Sequence, residues 1–157
     1  MHSRNSPTAR ERGGPLPSTA LTCRTDLRLP ADAAQLTRAR QFVRDAATSF
    51  GLNERAAYEF VYAVNEAVTN AIKHGCPQPD GTIGLHIELA GESIICSVRD
   101  RGPFVPPAAF PGPNLGESGR GFAFMSALTD EVQLAVGPGA TVVRLYKRLA
   151  SMEHVDA

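Results

Sequence analysis

The chain has 157 residues, of which 43% are hydrophobic, and its 16 basic and 16 acidic residues cancel. This length is enough for one buried core and short for two, so we expect a single domain with tails. The zero net charge and the aromatic content of 6% argue against direct nucleic-acid binding. An apolar run of about 20 residues, which a membrane-spanning helix requires, is absent from the sequence. The three cysteines are widely spaced and form no CxxC pair, which is typical of reduced cysteines. We therefore expect a cytoplasmic protein that does not enter a membrane.

Both ends of the chain are polar. Residues 1–20 are rich in Arg, Ser, Gly and Pro and have almost no apolar side chain to bury, so we expect a disordered leader. Residues 151–157 form a short polar tail that should fray. The folded domain is therefore expected to span residues 21–150.

The first half of this domain predicts one strand and two helices. Apolar residues alternate with mostly polar ones over residues 21–29, which is typical of a strand with one buried face. Apolar spacings of three and four over residues 32–50 then indicate an amphipathic helix. A second helix is expected to begin after a cap at Asn53 and to keep an apolar face for about five turns, until Gly75.

The second half predicts two hairpins separated by a long loop and a short helix. Residues 82–90 and 92–99 should pair antiparallel around a tight turn at Gly91. Residues 100–121 are rich in glycine and proline and are expected to form a loop. Loops of this length inside a compact domain are uncommon and tend to be functional.

A short helix over residues 122–128 and a closing hairpin over residues 131–136 and 141–149 complete the predicted elements. Their order, one strand, two helices, two strands, a loop, a helix and two strands, groups the strands unlike a βαβ alternation. The sequence therefore predicts an α+β fold, a two-layer sandwich whose mixed, mainly antiparallel sheet is covered on one face by helices.

The second helix carries the first candidate site residues, Glu66 and Asn70. Because they are four residues apart, both project from one face of the helix, one turn apart. A carboxylate there can accept a proton, and an amide oxygen can coordinate a hard cation such as Mg²⁺. The alternative is that both are solvated helix residues. His74, at the helix end, is expected to pack against or cap the last turn.

Two further candidates stand at strand ends. Asp100 follows an apolar strand, and a carboxylate at that position can accept a hydrogen bond from the exocyclic amino group of adenine, while Gly102 lets a flat base approach the backbone. A plain polar turn is the alternative. Thr141, early in the last strand, could place a hydroxyl beneath a nucleotide or simply favour the sheet.

The glycine cluster that includes Gly119 and Gly121 leads into the short helix. Glycines let backbone amides crowd around a phosphate, and a helix N-terminus adds unpaired donors and a favourable dipole. The cluster fits neither the P-loop nor the Rossmann fingerprint, and a flexible linker is the alternative.

Four segments, taken together and in order, resemble the conserved boxes of the GHKL ATPase superfamily, which has the Bergerat fold. They are EAVTNAIKHG at residues 66–75, DRG at 100–102, GRGF at 119–122 and GAT at 139–141. Within that superfamily, the first and third are similar to the anti-sigma factor serine/threonine kinases of the RsbW and SpoIIAB type. The proline-rich stretch before Gly119 departs from the family pattern.

The resemblance implies ATP and Mg²⁺ as cofactors and assigns a role to each candidate. Glu66 would act as the catalytic base, and Asn70 would hold Mg²⁺ against the phosphates. Five further residues would bind the nucleotide: Asp100, Gly102, Gly119, Gly121 and Thr141. Asp100 would read adenine, and Gly119 and Gly121 would form a lid over the phosphates.

The function that the resemblance implies is an ATP-dependent serine/threonine-protein kinase. It would sequester a sigma factor and phosphorylate a STAS-type antagonist, in a partner-switching cycle. Family members commonly pair through the first strand and helix, which leaves a homodimer open. The alternative is a nucleotide-gated regulatory binding module with little or no kinase activity. A sensor histidine kinase is disfavoured because 157 residues leave no room for its dimerisation helices.

Overall fold

The structure is a computed structural model, and it describes residues 23–75, 81–101 and 117–150. The expected leader, the expected tail and most of the expected loop, including Gly102, lie outside these ranges. Within them, no helix is both long and apolar enough to cross a membrane.

Five strands and three helices follow one another in the order that the sequence predicts. A 3₁₀ turn precedes the first helix, and a π-helical turn continues the second. In chain order the elements are β1 (Arg24–Pro30), the 3₁₀ turn (Ala33–Gln35), α1 (Leu36–Ser49), α2 (Glu54–Asn70), the π turn (Ala71–Gly75), β2 (Thr82–Ala90), β3 (Ser93–Asp100), α3 (Glu117–Leu128), β4 (Glu131–Gly137) and β5 (Ala140–Arg148).

The strands form one sheet in the order β1-β2-β3-β5-β4. All four neighbouring pairs are antiparallel. The α+β prediction is confirmed, and among the described strands the sheet is wholly antiparallel rather than mixed. Since β5 inserts between β3 and β4, the end of β3 lies beside the start of β5, where Asp100 pairs with Thr141.

The core lies between the helices and one face of the sheet. Alternate residues of β2 and β3 are buried while their neighbours are not, which is the pattern of a sheet with one covered face. Phe60, Val64 and Val68 of α2 belong to the same buried cluster as Ile87 of β2 and Leu145 of β5. Complete burial of such a side chain contributes about 1.5 to 3 kcal/mol, so α2 is held firmly on the sheet.

The start of α2 is set by a side-chain cap, as the sequence predicts. The Asn53 side-chain oxygen accepts a hydrogen bond of 2.8 Å from the backbone N–H of Ala56. This bond satisfies one of the four N–H groups that lack a partner at a helix start. The cap fixes where the helix begins and therefore which of its residues face the sheet.

The third helix begins earlier than expected. The sequence predicts a loop up to Gly121, whereas α3 starts at Glu117 and includes both Gly119 and Gly121. A glycine inside a helix costs about 1 kcal/mol relative to alanine, which is why the sequence pattern favours a loop. The fold overrides this local preference, and Gly121 is buried in close contact with α2.

A largely buried lysine amine links α2 and α3 to the sheet. Lys147 of β5 donates hydrogen bonds to Glu59 Oε2 of α2 at 2.7 Å and to the carbonyl oxygen of Leu128, at the end of α3, at 2.8 Å. The lysine side chain is only 12% exposed. Its hydrogen bond lowers the pKa of Glu59 below the ordinary value. This contact fixes the C-terminal end of α3 relative to α2.

Candidate functional site

Glu66 and Asn70 lie on the last turns of α2, on the side that faces α3. Both are half-buried, whereas the intervening Ala67 and Val68 are fully buried in the core. The spacing of four residues places the carboxylate and the amide one turn apart on one helix face, as expected. The apolar packing of α2 therefore fixes the backbone from which the two polar side chains project.

Gly121 of α3 lies directly against this pair. A Cβ built on Gly121 would be 2.8 Å from Glu66 Oε1, closer than real Cβ atoms approach a neighbour, and 3.1 Å from Asn70 Nδ2, a tight contact. Glycine is therefore the residue that lets α3 come this close to α2. Three residues that the sequence nominates from two distant segments are thus brought together.

A cavity of about 380 Å³ opens at this contact. It is lined by Glu66, Asn70, Lys73, His74, Arg120, Gly121 and Phe124. Lys73 and Arg120 contribute two positive charges and Glu66 one negative charge, so the net charge of the lining is positive when His74 is neutral. Such a balance suits a polyanion that is partly neutralised by a metal ion.

The polar side chains that line the cavity are unpaired within the part of the chain that the structure describes. Among the residues that the structure describes, no hydrogen bond or ion pair is formed by the side chains of Glu66, Asn70, Lys73 or Arg120. Polar groups around a concave site that are left without protein partners are available to a ligand. No cluster of three or more His, Cys, Asp or Glu forms a preformed metal site in the described part of the chain.

Four of the lining residues were not nominated from the sequence. Lys73 and His74 lie in the π turn that follows Asn70, and Arg120 and Phe124 lie on α3 beside Gly121. His74 is exposed in the cavity wall instead of packing against the helix. Single π turns occur frequently at functional sites. The signal was present, because Lys73, His74 and Arg120 stand inside the segments that carry the resemblance.

A second pair of candidates lies at the end of the sheet. Asp100 and Thr141 are 7% and 4% exposed, and they are direct partners in the pairing of β3 with β5. Both continue the buried alternation of their strands, so they face the helix layer. The Thr141 hydroxyl oxygen is buried and has no hydrogen-bond partner among the described residues. An unpaired buried hydroxyl costs about 1 to 3 kcal/mol, and a bound ligand could supply its partner.

The two groups of candidates are adjacent but not continuous in the described residues. The π turn packs against β3, whereas Asp100 and Thr141 do not line the cavity around Glu66. Gly119 lies in the first turn of α3, and Gly102 is outside the described residues. The structure thus joins Glu66, Asn70 and Gly121 in one group and Asp100 and Thr141 in another.

The arrangement offers the elements of phosphoryl transfer. A carboxylate that can accept a proton stands beside an amide that can coordinate a metal ion, and two cations stand where charge would be neutralised. Phosphoryl transfer needs mainly positioning and electrostatic stabilisation. At the sheet end, a buried carboxylate and an unpaired hydroxyl can recognise the donor and acceptor edge of a base.

Comparison with known proteins identifies the family to which this fold belongs. Residues 29–147 match the family model described as the histidine kinase-like ATPase domain. Relatives include an anti-sigma F factor of Halalkalibacterium halodurans, which is 34% identical over 62% of this chain and 73% of the relative. The anti-sigma F factor of Bacillus velezensis is 33% identical over 59% of this chain and 69% of the relative.

Solved structures share the fold. The RsbU and RsbW domains of a Mycobacterium tuberculosis protein superpose with a TM-score of 0.61 and 27% identity, and the match covers 80% of this chain and 32% of that chain. A blue-light activated histidine kinase of Erythrobacter litoralis has the same fold, with a TM-score of 0.55 and 21% identity over 79% of this chain and 43% of that chain. The family match extends over most of the chain, and we conclude that this protein belongs to the histidine kinase-like ATPase domain family, the nucleotide-binding GHKL fold.

Proposed function

We propose that the protein is an ATP- and Mg²⁺-dependent serine/threonine kinase that acts as an anti-sigma factor and phosphorylates a STAS-type antagonist. The observation that carries the proposal is the meeting of Glu66, Asn70 and Gly121 at one cavity whose lining adds Lys73 and Arg120. The relatives are named anti-sigma F factor, which supports the proposed action as an anti-sigma factor.

The residues present fit a magnesium nucleotide. The Thr141 hydroxyl is buried and unpaired within the described residues, so a ligand at the end of the sheet could form a hydrogen bond with it. Asp100 beside it would read the exocyclic amine of adenine, with Gly102 next to the base. Asn70 would hold Mg²⁺, and Gly119 with Gly121 would approach the phosphates. When bound, the magnesium nucleotide supplies the transferable phosphoryl group.

Glu66 would act as the base in this reaction. Its carboxylate would accept the proton of a serine or threonine hydroxyl that enters the open side of the cavity. Lys73 and Arg120 carry fixed charges in the same lining and would offset the negative charge of the phosphates. The absence of a side chain at Gly121 lets α3 lie beside Glu66, so the carboxylate stands at the cavity that the hydroxyl would enter.

The proposal is tested with the purified chain, labelled ATP and each STAS-domain protein encoded in the source genome. We expect transfer of label to a serine or threonine of at least one of them, and loss of transfer in Glu66→Gln with nucleotide binding retained. Asn70→Ala should lose both transfer and Mg²⁺-dependent nucleotide binding. Calorimetry with ATP, with and without Mg²⁺, separates the two effects.

The same experiment separates the kinase from a binding module that nucleotide merely gates. Binding of ATP without transfer to any tested protein would refute the kinase half. If Glu66→Gln also leaves sigma-factor binding and its release unchanged, regulation works without chemistry. If no heat of ATP binding is measured, the whole proposal fails.

A further inference from the structure

An exposed aromatic pair lies on α2 outside the cavity. Tyr58 and Tyr62 are 55% and 42% exposed, and their ring centroids are 4.5 Å apart at an angle of 45°. The chain has only three tyrosines and no tryptophan, so two of its three tyrosines are presented to solvent side by side. Scattered exposed aromatic residues need no explanation, but a contiguous pair often marks an interaction site.

The pair is continuous with the proposed catalytic residues. Tyr58, Tyr62, Glu66 and Asn70 follow one another at intervals of four, so each lies one turn beyond the last in a row that winds slowly around α2. With a helical rise of about 1.5 Å per residue, Tyr62 lies roughly 6 Å along the axis from Glu66. We call Tyr58 and Tyr62 the docking ridge. Phe124, 44% exposed, lines the cavity from α3.

The docking ridge has a basic border on α1. The neighbouring Tyr62 raises the pKa of Tyr58, and the nearby positive charge of Arg44 lowers it by a smaller amount. Arg44 forms no ion pair among the described residues. Arg40, one turn earlier, is held in place by Asn65 Oδ1 at 3.1 Å. A surface that meets this border should carry acidic groups.

We propose that the docking ridge binds the phosphoacceptor protein, through an apolar patch with an acidic edge that lies beside its target serine or threonine. This inference rests on the kinase function proposed above. It assigns the surface of the partner that contacts α2 and the residues of this chain that select it.

The geometry of approach supports this occupant. A hydroxyl must come within about 3 Å of the Glu66 carboxylate to transfer its proton. The protein segment that carries the hydroxyl must then pass near Phe124, which lines the cavity from α3, and near Tyr62, which lies one turn before Glu66 on α2. Tyrosine offers a large contact area at a low entropy cost and is enriched among residues that dominate interface energies.

The test uses the STAS-domain protein to which the wild-type chain transfers label most efficiently. In Tyr58→Ala/Tyr62→Ala, we expect KM for that protein to rise about tenfold or more, since truncation of such anchors commonly costs a factor of ten or more in binding. The Kd for ATP and the rate of ATP hydrolysis without acceptor should stay within about twofold. Tyr58→Phe/Tyr62→Phe should restore most of the affinity. Arg44→Glu should raise KM and reduce its dependence on salt.

The matched control is Leu134→Ala/Val136→Ala, which removes two exposed apolar side chains from β4 that do not line the cavity. It should leave KM unchanged. An unchanged KM in the double tyrosine variant, with transfer intact, overturns the docking assignment alone. If KM is unchanged while the variant shifts a dimer to monomers in sedimentation, the ridge binds a second copy and the assignment is also overturned. If the wild-type chain phosphorylates no tested protein, the kinase proposal itself fails and the inference falls with it.

Discussion

Gly121 of α3 contacts Glu66 of α2 so closely that a single added methyl group would lie 2.8 Å from the carboxylate oxygen Oε1. Asn70 Nδ2 would be 3.1 Å from the same methyl. The contact involves the end of a flexible side chain, so the helix can tolerate a larger residue if Glu66 moves. A substitution at Gly121 can therefore alter the site while it leaves the fold intact.

We expect Gly121→Ala to impair the site without destabilising the protein. Alanine gains up to about 1 kcal/mol of helix propensity at an interior position, which offsets the displacement of Glu66. Nucleotide affinity or phosphoryl transfer should fall about tenfold or more, because both Glu66 and Asn70 are displaced. Thermal unfolding together with ATP calorimetry measures the two effects.

Gly137→Ala is the control, since a Cβ there meets only the carbonyl oxygen of Ala140 at 3.9 Å, an ordinary contact outside the cavity. It should change neither nucleotide affinity nor transfer. Full activity in Gly121→Ala would show that the closeness of α3 to α2 is irrelevant to function.

Thr141→Val should stabilise the free protein and weaken nucleotide binding. The substitution replaces a buried hydroxyl that has no partner in the described residues with a methyl of similar size. Removing that unpaired group should raise the free energy of unfolding by about 1 kcal/mol. If the hydroxyl contacts the nucleotide, ATP affinity should fall about tenfold at the same time. Urea unfolding and calorimetry test both parts.

Thr141→Ser keeps the hydroxyl and is expected to keep most of the nucleotide affinity. Equal ATP affinity in the valine and serine variants would remove Thr141 from the binding site. Loss of stability in Thr141→Val would instead mean that the hydroxyl is already satisfied in the free protein.

Lys147→Met should destabilise the protein in a pH-dependent way. It removes the hydrogen bonds to Glu59 and to the Leu128 carbonyl, and we expect a loss of about 1 to 2 kcal/mol near pH 7, since Glu59 is partly open to solvent. The pKa of Glu59 is lowered from 4.5 in the folded state, first by the Lys147 hydrogen bond. The stability from this pair is therefore complete above about pH 4.5 and is lost as the pH falls through the lower folded pKa.

Urea unfolding of Lys147→Met and the wild type from pH 7 down to pH 3 should show the difference shrinking below about pH 4.5, with a remainder from the Leu128 carbonyl. Arg55→Ala is the comparison, because Arg55 also pairs with Glu59 but is 89% exposed. It should cost less than about 0.5 kcal/mol. A difference between Lys147→Met and the wild type that does not change with pH would exclude Glu59 as the titrating partner.

The predicted elements agree with the structure where local physics decides them. The cap at Asn53 and the apolar face of α2 are set by neighbouring residues, so the pattern is readable from the sequence. The hairpin around Gly91 is equally local, since that residue has a positive φ of 60°. The predicted start of α3 was wrong, because Gly119 and Gly121 favour a loop by propensity and the contact of Gly121 with α2 is visible only in the tertiary structure.

The candidate site was predictable in part for the same reason. Glu66 and Asn70 share a helix face by simple periodicity, and the spaced segments of the resemblance nominated Asp100 and Thr141. Lys73 and Arg120 were not nominated, because a lysine or an arginine near a turn is usually solvated and nothing local shows that a cavity faces it.

The sequence by itself determined the order of elements, the buried faces and the family, because periodicity, caps and motif spacing act over a few residues or a few turns. Only the tertiary structure shows that Gly121 lies against Glu66, that Asp100 pairs with Thr141 and that the rings of Tyr58 and Tyr62 are exposed side by side. Such contacts depend on how strands insert and how helices approach, and the free energy of that packing is summed over the whole core rather than written in any one segment.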